Sequence, residues 1–143
     1  MILSAQQLFS DDQAVTATAI STNVIDTGVR GTPFGAAAAL NGDIGKGNPI
    51  PVLVQVTADF NTLTSITVTL ETGATTSLGT VLASEIILLA DLVAGKQTHM
   101  QVLPKDVTGR YLGVRYTVGG TPATLGNITA GITMGNQTNI TGA

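Results

Sequence analysis

Along residues 110–118, RYLGVRYTV, apolar and polar side chains alternate with a period of two. An extended chain turns successive side chains to opposite faces, so Leu112, Val114, Tyr116 and Val118 share one face while Tyr111, Gly113, Arg115 and Thr117 share the other. The pattern recurs in VLVQVTADF (52–60), where Val52, Val54, Val56, Ala58 and Phe60 oppose Gln55, Thr57 and Asp59. In SITVTLET (65–72), Ile66, Val68 and Leu70 point one way and Thr67, Thr69 and Glu71 the other. In ATLGNITAGITM (123–134), Ile128, Ala130, Ile132 and Met134 oppose Thr129, Gly131 and Thr133. TVLASEIILL (80–89) and THMQVLP (98–104) add two more strands, and the β-branched QAVTATAISTNVID (13–26) adds one or two. Asn61-Thr62-Leu63-Thr64 predicts a hairpin that makes 52–60 and 65–72 antiparallel neighbours. ADLVAG (90–95) reads as a single turn closed by a glycine. Short strands at regular spacing, with turn signals between them, predict an all-β, antiparallel sandwich of about eight strands.

Three stretches break the rhythm. GVRGTPFGAAAALNGDIGKGNPIP (28–51) holds three prolines and many glycines, although AAAAL within it suits one helical turn. Long loops in compact folds usually serve a function, so this Gly/Ala-rich loop is a contact candidate. Residues 1–12 read as an N-terminal arm whose Ile2, Leu3, Leu8 and Phe9 dock on a neighbour or on the chain's own core. Residues 135–143 read as a polar tail. Nothing marks a domain boundary or a repeat, and 143 residues suffice for one domain with a continuous core.

Composition narrows the function. There is no cysteine, hence no disulfide and no thiolate metal site. Aromatics are 3% and tryptophan is absent, so Val, Ile, Leu and Ala must fill the core. Charged residues are 10%, against about 25% in an average soluble domain. Such a sparsely charged surface suits a subunit partly covered by an assembly. The net charge of −3 and the scattered Lys and Arg offer no basic face, so no nucleic-acid partner is expected. The apolar runs AAAAL and IILLA fall far short of the roughly 20 residues that span a bilayer, so no membrane partner is expected either. MILSAQQLFSDD lacks the basic start of a secretory signal, which points to a soluble intracellular product.

The search for chemistry returns no catalytic constellation. His99 is the single histidine, and THMQVLP around it supplies neither nucleophile nor metal ligand. The carboxylates are isolated apart from Asp11-Asp12 near the start. Asn41-Gly42-Asp43 lacks the spacing of a cation loop, and Gly42, Gly45 and Gly47 around Lys46 lack the Ser or Thr of a phosphate loop. Neither an enzyme, a cofactor, a metal nor a small-molecule substrate is expected. Tyr116 falls on the apolar face and should be core. Tyr111, Arg115 and Thr117 form a polar and aromatic face that is either solvated or a subunit contact, since Tyr and Arg are favoured interface anchors.

Three segments carry a resemblance: LFSDDQAVTATAISTNVIDTG (8–28), LASEIILLADLVAG (82–95) and VLPKDVTGRYLGVRYTVGGTPATLGNITAGIT (102–133). Together they resemble the capsid cement, or decoration, proteins of tailed bacteriophages. The resemblance implies a jelly-roll-like β-fold and a homodimer straddling two-fold positions on the outside of the virion capsid. It also implies a non-catalytic role in reinforcing the shell, with the major capsid protein as partner and synthesis in the host cytoplasm. Leu8, Phe9, Arg30, Phe34 and Lys46, from the arm and the long loop, are the expected capsid contacts. Tyr111, Arg115 and Thr117 are the expected dimer or partner face. A head-fibre or tail-associated β-domain and a carbohydrate-binding adhesion sandwich are the alternatives.

Overall fold

The computed structural model describes residues 3–29, 31–32, 34–35, 37, 47–102 and 106–135. Nine strands form in them: β1 (Leu8–Ala14), β2 (Ala19–Ile20), β3 (Ile25–Asp26), β4 (Ile50–Ala58), β5 (Leu63–Gly73), β6 (Thr80–Leu88), β7 (Gln97–Val102), β8 (Tyr111–Gly120) and β9 (Asn127–Ile132). Single 3₁₀ turns lie at Ala5–Gln7 and Leu89–Asp91. All strand pairings are antiparallel. One sheet has the order β1-β9-β4-β7; the other runs β2-β8-β5-β6, with β3 also on β8.

The order follows a nested rule. β2 and β3 lie on successive parts of β8, with Ala19 opposite Tyr116 and Ile25 opposite Leu112, and so act as one interrupted strand. The first strand then pairs with the last, the second with the second-last, β4 with β7 and β5 with β6. A long antiparallel hairpin rolled up in this way is a jelly roll. The alternating positions of each strand meet between the sheets. Val52, Val54, Val56, Ile128 and Ala130 of one sheet are buried in a single cluster with Ile66, Val68, Leu70, Leu112 and Val114 of the other.

The 61–64 segment departs from expectation. β4 and β5 lie in opposite sheets, so the segment is a crossover and not a hairpin. Leu63 already belongs to β5 and is buried, as is Phe60 before the corner. The bend is made at Thr62, whose φ of 63° is unusual for a β-branched residue. Hydrogen bonds hold it there: Asn61 Oδ1 accepts from the backbone N–H of Thr124 and Leu125, and Thr62 Oγ1 donates to the Pro122 carbonyl. The 121–126 segment crosses between the sheets as well, in the opposite direction. The two crossovers are thus stitched side by side.

The N-terminal segment also differs from an arm. Residues 8–14 are β1, a full member of the first sheet, and Phe9 is completely buried in the core. The strand carries register shifts between Leu8 and Ser10 and between Ser10 and Gln13. A bulge lets two successive residues point inward where regular alternation allows one. Ser10 is therefore buried beside Phe9, and its hydroxyl reaches across the sandwich to the Tyr116 hydroxyl at 2.8 Å. Ser10 donates its proton to Gln13 Oε1 at 2.7 Å, so Tyr116 must be the donor to Ser10. Gln13 continues the chain, donating from Nε2 to the Ile20 carbonyl and accepting from the Thr22 N–H. Burial pushes the Tyr116 phenol above its ordinary value of 10.0, an effect opposed by its bond to Ser10.

Removing either end of this link leaves a buried hydroxyl with an unmet hydrogen bond. Tyr116→Phe and Ser10→Ala should each cost about 1–3 kcal/mol in urea unfolding. The double variant should lose less than the sum of the two, because neither polar group is then stranded.

Candidate functional site

The long loop leaves the sandwich where β3 lies against the start of β8. Arg110 donates from Nε to Asp26 Oδ1 at 2.7 Å and from Nη2 to Asp26 Oδ2 at 2.6 Å. Asp26 Oδ1 also accepts from the Gly28 N–H, and Thr27 donates to the Arg110 carbonyl from both its backbone N–H and its hydroxyl. The Arg110 guanidinium, with help from Gly28, holds the Asp26 carboxyl down from 3.8 to about 2. This clamp fixes the stem from which the loop sets out. Just beyond it, Val29 is largely exposed and Phe34 wholly so. Large apolar side chains held in water on an anchored loop are candidates for insertion into a partner.

The face carrying Tyr111, Arg115 and Thr117 is less open than the alternation suggests. Arg115 donates from Nε to Glu71 Oε1 at 2.9 Å, and from Nη2 both to Glu71 Oε2 at 3.1 Å and to the Ser77 carbonyl at 3.0 Å. Glu71 accepts a further bond from Thr69 Oγ1 and is only 5% exposed. The cause is the turn between β5 and β6, which folds back over the outer face. Its Leu78 lies on Gly113, where an added Cβ would come within 2.8 Å of Leu78 Cδ1. Glu71 is thus an outward residue covered by its own chain, and Arg115 is committed to neutralising it. Their bond pushes the Arg115 pKa above its ordinary value. Tyr111 is half-buried, with the Arg110 guanidinium 5.1 Å from its ring centroid. Thr117 alone of the three is exposed.

The remaining expected contacts divide. Phe9 is core and offers no surface, because the β1 bulge turns it inward. Leu8 is half-buried and packs on Gly131 of β9. Arg30 and Lys46 lie outside the described residues, as do the alanines 36 and 38–39. His99 is an exposed residue of β7, opposite Leu53. Among the described residues no group of three or more His, Asp or Glu side chains is placed to hold a metal.

Sequence reasoning overlooked two features. The Asp26–Arg110 clamp joins residues 84 positions apart, which no local pattern reveals. On β6, Val81, Ile86 and Leu88 are all exposed. The alternation reading of 80–89 assigned no faces, and within IILL only Ile87 is buried.

Two outcomes follow. Arg115→Ala should lower stability by about 1–3 kcal/mol in urea unfolding, since it leaves the Glu71 carboxylate covered and unpaired. Adding Glu71→Gln should recover part of that loss. For the stem, the unfolded chain protonates Asp26 near pH 3.8 and the folded chain only near 2. The stabilisation is therefore complete above about pH 4 and is lost as pH falls towards 2. Asp26→Asn should show a shallower drop in melting temperature across that window than the natural chain, measured by circular dichroism.

Compared with known proteins, the chain matches no curated protein. Its residues 9–132 match the model of the family described as Bbp16, from within β1 to the last residue of β9. The chain, with its jelly roll and its anchored loop, belongs to the phage-related Bbp16 family.

Proposed function

We propose that this protein is a non-catalytic structural subunit of a phage virion, attached to the outside of the capsid. There it cross-links neighbouring copies of the major capsid protein as a homodimer and stabilises the DNA-filled shell. The observation that carries the reading is the bare Phe34, with Val29, on a loop clamped to the sandwich by Asp26 and Arg110, in a chain of a phage-related family. Docking these bare side chains on a partner would remove their apolar surface from water, which favours association. Many modest contacts repeated over a shell then add by avidity.

The chemistry of the surface supports this reading. Each Lys or Arg among the described residues is bonded to one of the chain's own carboxylates: Lys96 to Asp91, Arg110 to Asp26 and Arg115 to Glu71. Among the described residues, exposed threonines and apolar side chains such as Val29 and Phe34 are left for a partner.

Purified virions should contain this chain in near-stoichiometric ratio to the major capsid protein, as read by quantitative mass spectrometry. Its absence from virions ends the proposal. Phe34→Ala should fold normally and weaken binding to chain-free shells about tenfold or more, the usual loss at an aromatic anchor. Undiminished binding would move the contact off the loop.

A further inference from the structure

The turn between β5 and β6 lies on the outer face of the second sheet, and glycines make the room for it. A Cβ on Gly113 would come within 2.8 Å of Leu78 Cδ1, with Val24 Cγ2 and Ser21 Oγ next at 3.4 and 3.5 Å. A Cβ on Gly73 would come within 2.7 Å of the Leu78 backbone. Leu78 therefore occupies a seat floored by Gly113 and bordered by Val24 and Ser21. Beside it, Arg115 Nη2 donates to the Ser77 carbonyl at 3.0 Å, while the same guanidinium holds the Glu71 carboxylate.

The turn is built to move. Leu78 has a φ of 60°, a left-handed conformation that a leucine seldom adopts and that release from the seat would relax. Glycines stand at both ends, Gly73 and Gly79, the latter at a φ of 140°, so each end can absorb a rotation. The ladder between β5 and β6 closes with Thr72 opposite Thr80, so the turn can swing without breaking a rung between these strands. Between the glycines, Ala74, Thr75, Thr76 and Ser77 are exposed and Leu78 is half-buried. Segments with so little buried surface open at far lower cost than the fold as a whole.

We infer that residues 74–78 form a lid, which opens on its glycine ends independently of the sandwich and uncovers the outer face around Arg115. In the closed state Leu78 fills the seat on Gly113, the Ser77 carbonyl takes one Arg115 donor and Glu71 is covered. In the open state the seat is empty, the bond to Ser77 is broken and the Glu71–Arg115 pair meets water, where it is screened and holds less strongly. The face of Tyr111, Arg115 and Thr117 is thus shuttered by the chain's own turn. A partner that used the covered part of this face would bind the open fraction alone, and its apparent affinity would be lowered by that fraction. Nothing in this lid depends on attachment to a capsid.

The Arg115 Nε–H, bonded to Glu71 beneath the turn, reports the opening through its hydrogen exchange, followed by NMR in the full-length chain. It should be protected, yet exchange at least about 100-fold more often than the whole chain unfolds, with a rate that low urea barely changes. Leu78→Ala empties the seat and should speed this exchange about tenfold while the urea midpoint of global unfolding moves little. Gly113→Ala narrows the seat without touching the turn and should act in the same direction. Exchange that follows global unfolding in both rate and urea dependence would show that the turn never opens by itself, and overturns the inference. An unprotected Nε–H also overturns it, since no closed lid then exists in solution. So does an exchange rate that neither variant increases, because the seat would then not be what holds the turn shut.

Discussion

A hydroxyl at the centre of an apolar core has to be hydrogen-bonded, and in this protein that requirement falls on Tyr116. Among the described residues it is the largest fully buried side chain, it comes from the middle of β8, and its oxygen is hydrogen-bonded from the opposite sheet. Ser10 supplies the partner. To do so β1 must sit on the outer side of β9, must bulge, and must bring Phe9 into the core at the same point. The relay through Gln13 then ties in Ile20 and Thr22, so β1, β8 and the 20–22 segment are held by one short chain of hydrogen bonds. With few aromatics and no disulfide, the sandwich gains a directional link between its sheets that dispersion and burial alone do not supply.

The rest of the molecule separates neatly by chemistry. The interior is aliphatic and holds the sheets together without direction. The outer faces are largely threonine, which accepts and donates hydrogen bonds yet carries no charge. The three cations among the described residues are turned to internal tasks: one ion pair clamps the stem of the long loop, another lies beneath the β5–β6 turn, and a third closes the segment after the Leu89–Asp91 turn. Among the described residues, large apolar side chains stand exposed on the loop beyond Gly28 and on β6, and also at Val93, Leu125 and Met134.

The period-2 pattern located β4 to β8 to within about two residues and assigned the inner faces of β4, β5 and β8, because alternation reports which side of a sheet a residue occupies; beyond β9 it fails, with Met134 exposed and Thr133 buried. It does not report which strand lies alongside. β4 and β5 both alternate well and are separated by a short polar link, which is equally the signature of a hairpin and of a corner between two sheets. The corner won because Asn61 and Thr62 have hydrogen-bond partners in 122–125, some 60 residues away. Glu71 shows the same limitation in another form. Its position on the outer face was readable, but its burial depends on a turn that folds back over it.

The sequence alone therefore determined the class of fold, the apolar faces of β4, β5 and β8, the place of Tyr116 in the core and the long loop as an irregular excursion. These properties are encoded in side chains within a few positions of one another. Only the tertiary structure decided the nested strand order, the inward turn of Phe9 and Ser10, the pairing of Asp26 with Arg110 and of Arg115 with Glu71, and the exposure of Ile86 and Leu88. Each of these depends on contacts between segments distant in the chain. A β-strand's own sequence specifies its two faces but leaves its two edges to whatever strand the fold brings beside them.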